Sequence, residues 1–228
     1  MSLYLANSCM AFFPPKPRNR GKTRQALSVE YRWVPSDAIS VSFLDGSEKL
    51  RDRVREVARG WTGPDRAHLT LDFRKDTLAT DVRVSFVLGG SWSVIGTSCR
   101  DVPGGVATMN FGWIDEDSAE DVLRAVVLHE FGHAIGLLHE HQIPHNGIQW
   151  NKPVVYAEMA LEGWSAEKVD DNIFGEIEEA SVDATPVDPA SIMMYPIKSS
   201  WTLDGFEVGW NAELSPGDLA FVRKHYQQ

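Results

Sequence analysis

The 228 residues are 43% hydrophobic, ordinary for a globular chain and enough for one large domain or two lobes sharing a core. A formal net charge of -10, with the 22 Lys and Arg residues scattered or gathered near the start, leaves no basic face for a nucleic acid. No apolar run reaches the roughly 18 residues that would span a bilayer, so no membrane role is expected.

The first thirteen residues, MSLYLANSCMAFF, carry no leading positive charge and no small-residue cleavage site, and no signal peptide is read there. FFPPKP followed by RNRGKTR makes residues 1–26 an extended arm. The globular domain is expected over 27–228, in lobes of about 27–139 and 140–228. Two cysteines, Cys9 and Cys99, allow one bridge at most and settle no redox compartment.

Within the first lobe, Ile39, Val41 and Phe43 alternate with small polar residues up to the Asp45-Gly46 turn, which predicts a half-buried strand. A helix should follow from a Ser47 cap, with Leu50, Val54, Val57, Ala58 and Trp61 on one face. Leu69, Leu71 and Phe73 alternate again, as do Val82, Val84 and Phe86, and more weakly Val106, Thr108 and Asn110. Ser118 and Asp121 form a weak capping box before a second long helix with Val122, Leu123, Val126 and Val127. Beyond Glu140 the chain has little period until Ser215, which can cap a terminal helix containing Leu219, Ala220 and Val222. There is no internal repeat. The fold class predicted is α+β: a mixed sheet with two long helices, then an irregular second lobe, with a cleft between.

The chemistry lies on the second helix. HEFGHAIGLLH, His129 to His139, contains H-E-x-x-H-x-x-G-x-x-H. Four residues apart on a helix, His129 and His133 share a face and can reach one ion at about 2.0 to 2.1 Å. Gly136 can take the left-handed conformation that ends a helix, letting His139 approach the same ion from outside. Three imidazoles leave a tetrahedral Zn²⁺ one open position for water, the catalytic arrangement. Glu130 is placed to take a proton from that water. One catalytic Zn²⁺ is the cofactor expected.

With Glu140 directly after the third His, and with SIMMYP at Ser191–Pro196, the sequence resembles the metzincin clan of zinc proteases, and within it the astacin family. GSWSVIGTSC, TMNFGW, HEHQIPHNGIQWNK and VVYAEM extend the similarity over roughly Ser36 to Tyr226. The resemblance implies a metzincin fold and hydrolysis of proteins or peptides by a secreted, monomeric endopeptidase. It also implies a network role for Glu140 beneath the site, where in mature enzymes of the founding type that residue meets a buried chain terminus. Met193 would be a thioether floor beneath the imidazoles, and Tyr195 a phenol that swings from the metal to the oxyanion. Four core cysteines typical of animal members are absent, Met194 replaces a frequent His, and HQIPHN replaces a charged run, so side-chain preference is not carried over.

An extended substrate is expected along a sheet edge carried by Trp92 to Ser98. Cys9, in the arm, is a candidate inhibitory ligand, since a thiolate could fill the open position until the arm is cut. His141 and His145 read as surface groups or groups orienting a neighbour, His68 has no assigned role, and the acidic string from Glu176 to Glu179 reads as a solvated face. Three alternatives stay open: a matrixin-like enzyme, which calcium dependence would reveal, a latent precursor, and a silent zinc-binding module that holds peptides without cutting them.

Overall fold

The computed structural model describes residues 31–75, 78–176 and 187–227, and the backbone of 9–12. Strands β1 (Cys9–Phe12), β2 (Ala38–Phe43), β3 (Thr70–Phe73), β4 (Val82–Ser85), β5 (Ser91–Val94) and β6 (Met109–Asn110) form one sheet in the order β1-β5-β6-β4-β2-β3. Every pairing is parallel except that of β5 with β6, so the sheet is mixed as expected.

Three local expectations change. The strand placed over Trp92–Ser98 ends at Val94, because the chain turns at Gly96 (φ 49°) into a short 3₁₀ turn over Gly96–Asp101. A Cβ at Gly96 would lie 2.0 Å from the Tyr31 carbonyl oxygen, so this close approach requires glycine. Nor is β5 a free edge: β1, from the arm, runs parallel along it with Cys9 opposite Ser91 and Phe12 opposite Val94. The Val106–Asn110 alternation yields only the two residues of β6, since Val106 hydrogen-bonds back to Pro103 and stays exposed.

Helix α1 (Glu48–Ala58) starts at Ser47, whose hydroxyl accepts the Leu50 N–H at 3.2 Å, and buries Leu50, Val54, Val57 and Ala58. Helix α2 (Glu120–Ala134) has no side-chain cap: Ser118 turns its hydroxyl to the Asp115 N–H instead. From Leu123 onward α2 is buried on nearly every side, which is why its residues show no single apolar stripe. It lies between the sheet and the second lobe, and two tryptophans pin it. Trp61 Nε1 donates to the Leu128 carbonyl and Trp33 Nε1 to the Ala134 carbonyl, each at 2.8 Å.

The second lobe is less irregular than its sequence suggests. It holds α3 (Lys152–Leu161), α4 (Ala166–Val169) capped by Ser165, a π-helical turn over Asp170–Phe174, and α5 (Pro216–Tyr226). Two cores result. One joins the sheet, α1 and α2 to Val222 and Tyr226 of α5, whose phenol donates to the Ile135 carbonyl. A smaller core gathers Val155, Met159, Trp164, Ile173, Met194 and Trp201. Among the described residues no helix is long and apolar enough to cross a membrane.

Candidate metal centre

Helix α2 supplies His129, Glu130 and His133, then stops as the motif requires. Gly136 stands at φ 103°, its N–H bonds the His133 carbonyl at 2.8 Å, and the Leu137 N–H bonds the Gly132 carbonyl at 2.9 Å. This paired closure of a helix end on a left-handed glycine turns the chain so that His139 comes back to the helix. His129, His133 and His139 are all buried, and their candidate ligand atoms lie within 4.8 Å of one another.

Each ring is oriented by an oxygen on its far side. His129 Nδ1 faces the Ile192 carbonyl at 2.7 Å, His133 Nδ1 the Leu137 carbonyl at 2.8 Å, and His139 Nδ1 the Gln142 Oε1 at 3.2 Å. A neutral imidazole that donates from Nδ1 must present a bare lone pair at Nε2, so all three rings carry the tautomer a metal needs. His133 Nε2 and His139 Nε2 are 3.1 Å apart, and His129 Nε2 is buried with no hydrogen-bond partner. Tetrahedral Zn²⁺ with ligands at about 2.0 to 2.1 Å separates its nitrogens by about 3.4 Å, so the set fits the ion. Among the described residues it is the one group of three or more such side chains able to do so.

Electrostatics agree. Burial lowers the His129 imidazole to about 4 and holds His133 and His139 well below 6.5, so all three stay neutral at neutral pH and free to bind metal. Burial raises Glu140 to about 7, although the Asp188 N–H that it accepts at 2.9 Å works against that rise.

The remaining expected residues gather from the second lobe. Met193 packs so tightly on α2 that a Cβ at Gly132 would lie 2.3 Å from its sulfur. The Glu140 N–H bonds the Met193 carbonyl at 3.0 Å. Tyr195 lies with its ring centroid 4.4 Å from that of His139 and 6.2 Å from that of His129. His141 is 1% exposed and stacked on His139 and Tyr195, so of the two roles expected for it the surface one falls away and that of orienting a neighbour stays open. His145 is exposed at φ 58°, and His68 is exposed with its Nδ1 3.1 Å from the Ser36 hydroxyl. Of the acidic string only Glu176 lies within the described residues. Cys99 is a buried free thiol that burial pushes up to about 12, so it forms no bridge to Cys9, whose side chain lies outside what is described.

Sequence reading missed three parts of the site. Asp218, visible only as a helix-cap residue, accepts the Ser191 hydroxyl at 2.7 Å and the Ile192 N–H at 2.9 Å, and so clamps the turn that orients His129. Gln142 joins His139 to the second lobe, its amide donating to the Asp171 carbonyl at 2.9 Å. Gly132, a variable position in the motif, makes room for Met193.

A cleft opens beside Glu130, His129 and Tyr195, walled mainly by Trp113, Val126, Met159, Ile173, Ile192 and Trp201. Its apolar lining suits an apolar group.

Known structures share this fold. One structure of myroilysin is 35% identical, with a TM-score of 0.84 over 89% of this chain and 98% of that one. A second structure of myroilysin is 33% identical, with a TM-score of 0.72 over 98% of this chain and 92% of the other. High choriolytic enzyme 1, a hatching-enzyme zinc protease of the medaka fish Oryzias latipes, is 16% identical with a TM-score of 0.54 over 83% of this chain and 88% of its own, and shares the fold alone. No family model and no curated protein matches the chain.

Proposed function

The chain belongs with myroilysin to the M12 family of zinc metalloproteases and is a zinc metalloendopeptidase of the metzincin fold; from that premise we propose that it is an astacin-like enzyme, held latent by its arm. The observation that carries the catalytic reading is the convergence of three oriented Nε2 lone pairs beside Glu130, two from the buried helix α2 and one from His139 after the glycine turn.

Bound by His129, His133 and His139, zinc supplies Lewis-acid polarisation of the scissile carbonyl and lowers the pKa of an attacking water. Glu130 takes the proton from that water and returns it to the leaving amine nitrogen. Tyr195, beside His139, donates its phenolic hydrogen bond to the oxyanion that forms. Met193 fixes the floor beneath the ligands, and Glu140 ties the third ligand's turn to Asp188 and to Met193. The apolar cleft on the Glu130 side receives a bulky side chain from the residue that becomes the new N-terminus. Extracellular action by a monomer on extended peptides belongs to the same proposal.

The test is a mixed peptide library digested by the zinc-loaded chain and by Glu130→Gln, before and after limited proteolysis of the arm. The parent should cut internal bonds ahead of bulky apolar residues, and the variant should keep zinc while losing about 10²- to 10⁴-fold in rate. A fully zinc-loaded variant that still cuts would refute the role given to Glu130.

Latency is supported by the place of β1. A substrate adding a strand to β5 needs the backbone groups that Cys9–Phe12 already engage, and Cys9 stands opposite Ser91, which lines the cleft with His129. With zinc bound, the Cys9 thiolate would be its fourth ligand until the arm is removed. Cys99 is buried and largely protonated, so thiol labelling of the folded chain reports on Cys9. Labelling should rise when a chelator takes the zinc. Equal labelling with and without chelator would discard the thiolate ligand.

A further inference from the structure

His141 binds no metal in the arrangement above, yet it is as buried as the ligands, at 1% exposure. Its Nε2 N–H points to the Asn172 carbonyl at 3.0 Å, which fixes the plane of its ring. That plane lies nearly parallel to the Tyr195 ring, with centroids 4.6 Å apart and 29° between planes. The His141 ring also stacks on His139, with centroids 5.2 Å apart, and the edge of Trp150 closes it in at 6.3 Å. Tyr195 thus packs in a three-ring cluster with the third ligand and a histidine that has no other visible task.

The anchor is the π-helical turn at Asp170–Phe174. Its Asp171 carbonyl accepts from Gln142, which in turn accepts from His139, and its Asn172 carbonyl accepts from His141. Such wide turns are rare and occur frequently at functional sites. Here two successive carbonyls reach the neighbours of the third ligand.

We propose that His141, anchored by this turn, is a positioning residue for Tyr195, its ring serving as a back-stop that keeps the phenol at the open face of the metal site. The proposal rests on reading Tyr195 as the oxyanion donor. A phenol free to rotate into the space of a missing imidazole would spend little time in the productive place, and misplacement by about 1 Å costs roughly 100-fold in rate. The contact that matters is the flat ring face, so an aromatic replacement should serve where a small one does not.

The experiment compares His141→Ala and His141→Phe in the full chain, zinc-loaded and freed of its arm's block by limited proteolysis. His141→Ala should retain zinc and KM while kcat falls roughly 10- to 100-fold, and His141→Phe should recover most of that loss. An independent readout is the ring of Tyr195, labelled with ¹³C and assigned by its disappearance in Tyr195→Phe. Its flips should be slow in the parent and in His141→Phe, and fast in His141→Ala. Unchanged kcat and unchanged flipping in His141→Ala would overturn the proposal, as would a loss of activity explained wholly by lost zinc. If the parent cuts nothing, the protease mechanism fails while the ring flips still decide the role of His141.

Discussion

The two lobes meet at the metal centre and contribute to it by different physical means. The first lobe is held by regular hydrogen bonding and periodic burial: five strands of the sheet, α1 and the buried helix α2 surround one large core. It supplies the atoms that do chemistry, His129, Glu130 and His133. The second lobe has a smaller core, and grips the site through single side-chain bonds to backbone: Asp218 to Ile192, Glu140 to Asp188, Gln142 to Asp171, and His141 to Asn172. One lobe therefore makes the ligands, and the other aims His129 and His139 while Leu137 aims His133 from within the first. A change in the second lobe should alter the site out of proportion to the apolar area it removes.

Among single substitutions the largest expected effect falls on Asp218. Asp218→Ala leaves the Ser191 hydroxyl and the Ile192 and Ser215 N–H groups buried without their acceptor, at about 1 to 3 kcal/mol each, so stability should fall by about 3 kcal/mol or more. Zinc affinity should fall too, because the Ile192 carbonyl orients His129. Denaturant melts and zinc titration measure both. If stability drops while zinc affinity holds, the second lobe supports the fold without aiming the ligands.

Acid should act mainly on the ligands. In the metal-free chain His129 titrates at about 4 rather than 6.5, and His133, His139 and His141 are shifted the same way by burial. The unfolded chain then binds more protons, so stability is full above about 6.5 and is lost as pH falls toward 4, by on the order of 3 kcal/mol for His129 alone. Glu140 has the opposite sign: raised from 4.5 to about 7, it costs nothing below 4.5 and destabilises as pH rises through 7. Burial raises the Asp218 carboxyl in the same direction, and four histidines outweigh these two carboxyls, so urea melts of the metal-free chain should be most stable near pH 6.5. A maximum below pH 5 would contradict the burial of the ligands.

A smaller effect tests the contact between the lobes at its tightest point. Gly132→Ala drives a methyl to 2.3 Å from the Met193 sulfur and 3.1 Å from Trp61, and should cost about 1 to 3 kcal/mol in melting experiments. Restoring room with Met193→Ala in the same chain should return part of it. Strictly additive losses would mean that the two residues do not meet.

These differences explain what the sequence could say. β2 and α1 were legible because Ile39, Val41 and Phe43, then Leu50, Val54 and Val57, repeat at the periods of strand and helix. The ligands and Glu130 were legible because one helix and one glycine turn set their spacing. Helix α3 was not, since only Val155 and Met159 face inward, two positions that make no stripe. Strand β1 was hidden because its four residues stand apart from any alternating pattern and owe their conformation to β5. Asp218 went unread and the burial of His141 unseen for one reason: their partners lie 26 and 31 residues away, in segments without period.

The smallest expected effect concerns the surface link between the lobes. Arg124 on α2 donates from Nε to Glu213 Oε1 at 2.8 Å, but the two side chains are 32% and 72% exposed. Water and salt screen such a pair, so Arg124→Ala should change stability by less than about 1 kcal/mol, and that small loss should vanish in high salt. Zinc affinity should not move, because nothing in the pair touches a ligand or the turn that Asp218 holds. A loss comparable to that of Asp218→Ala would invert the comparison, placing the union of the lobes at their surface and leaving the buried acceptors as its consequence.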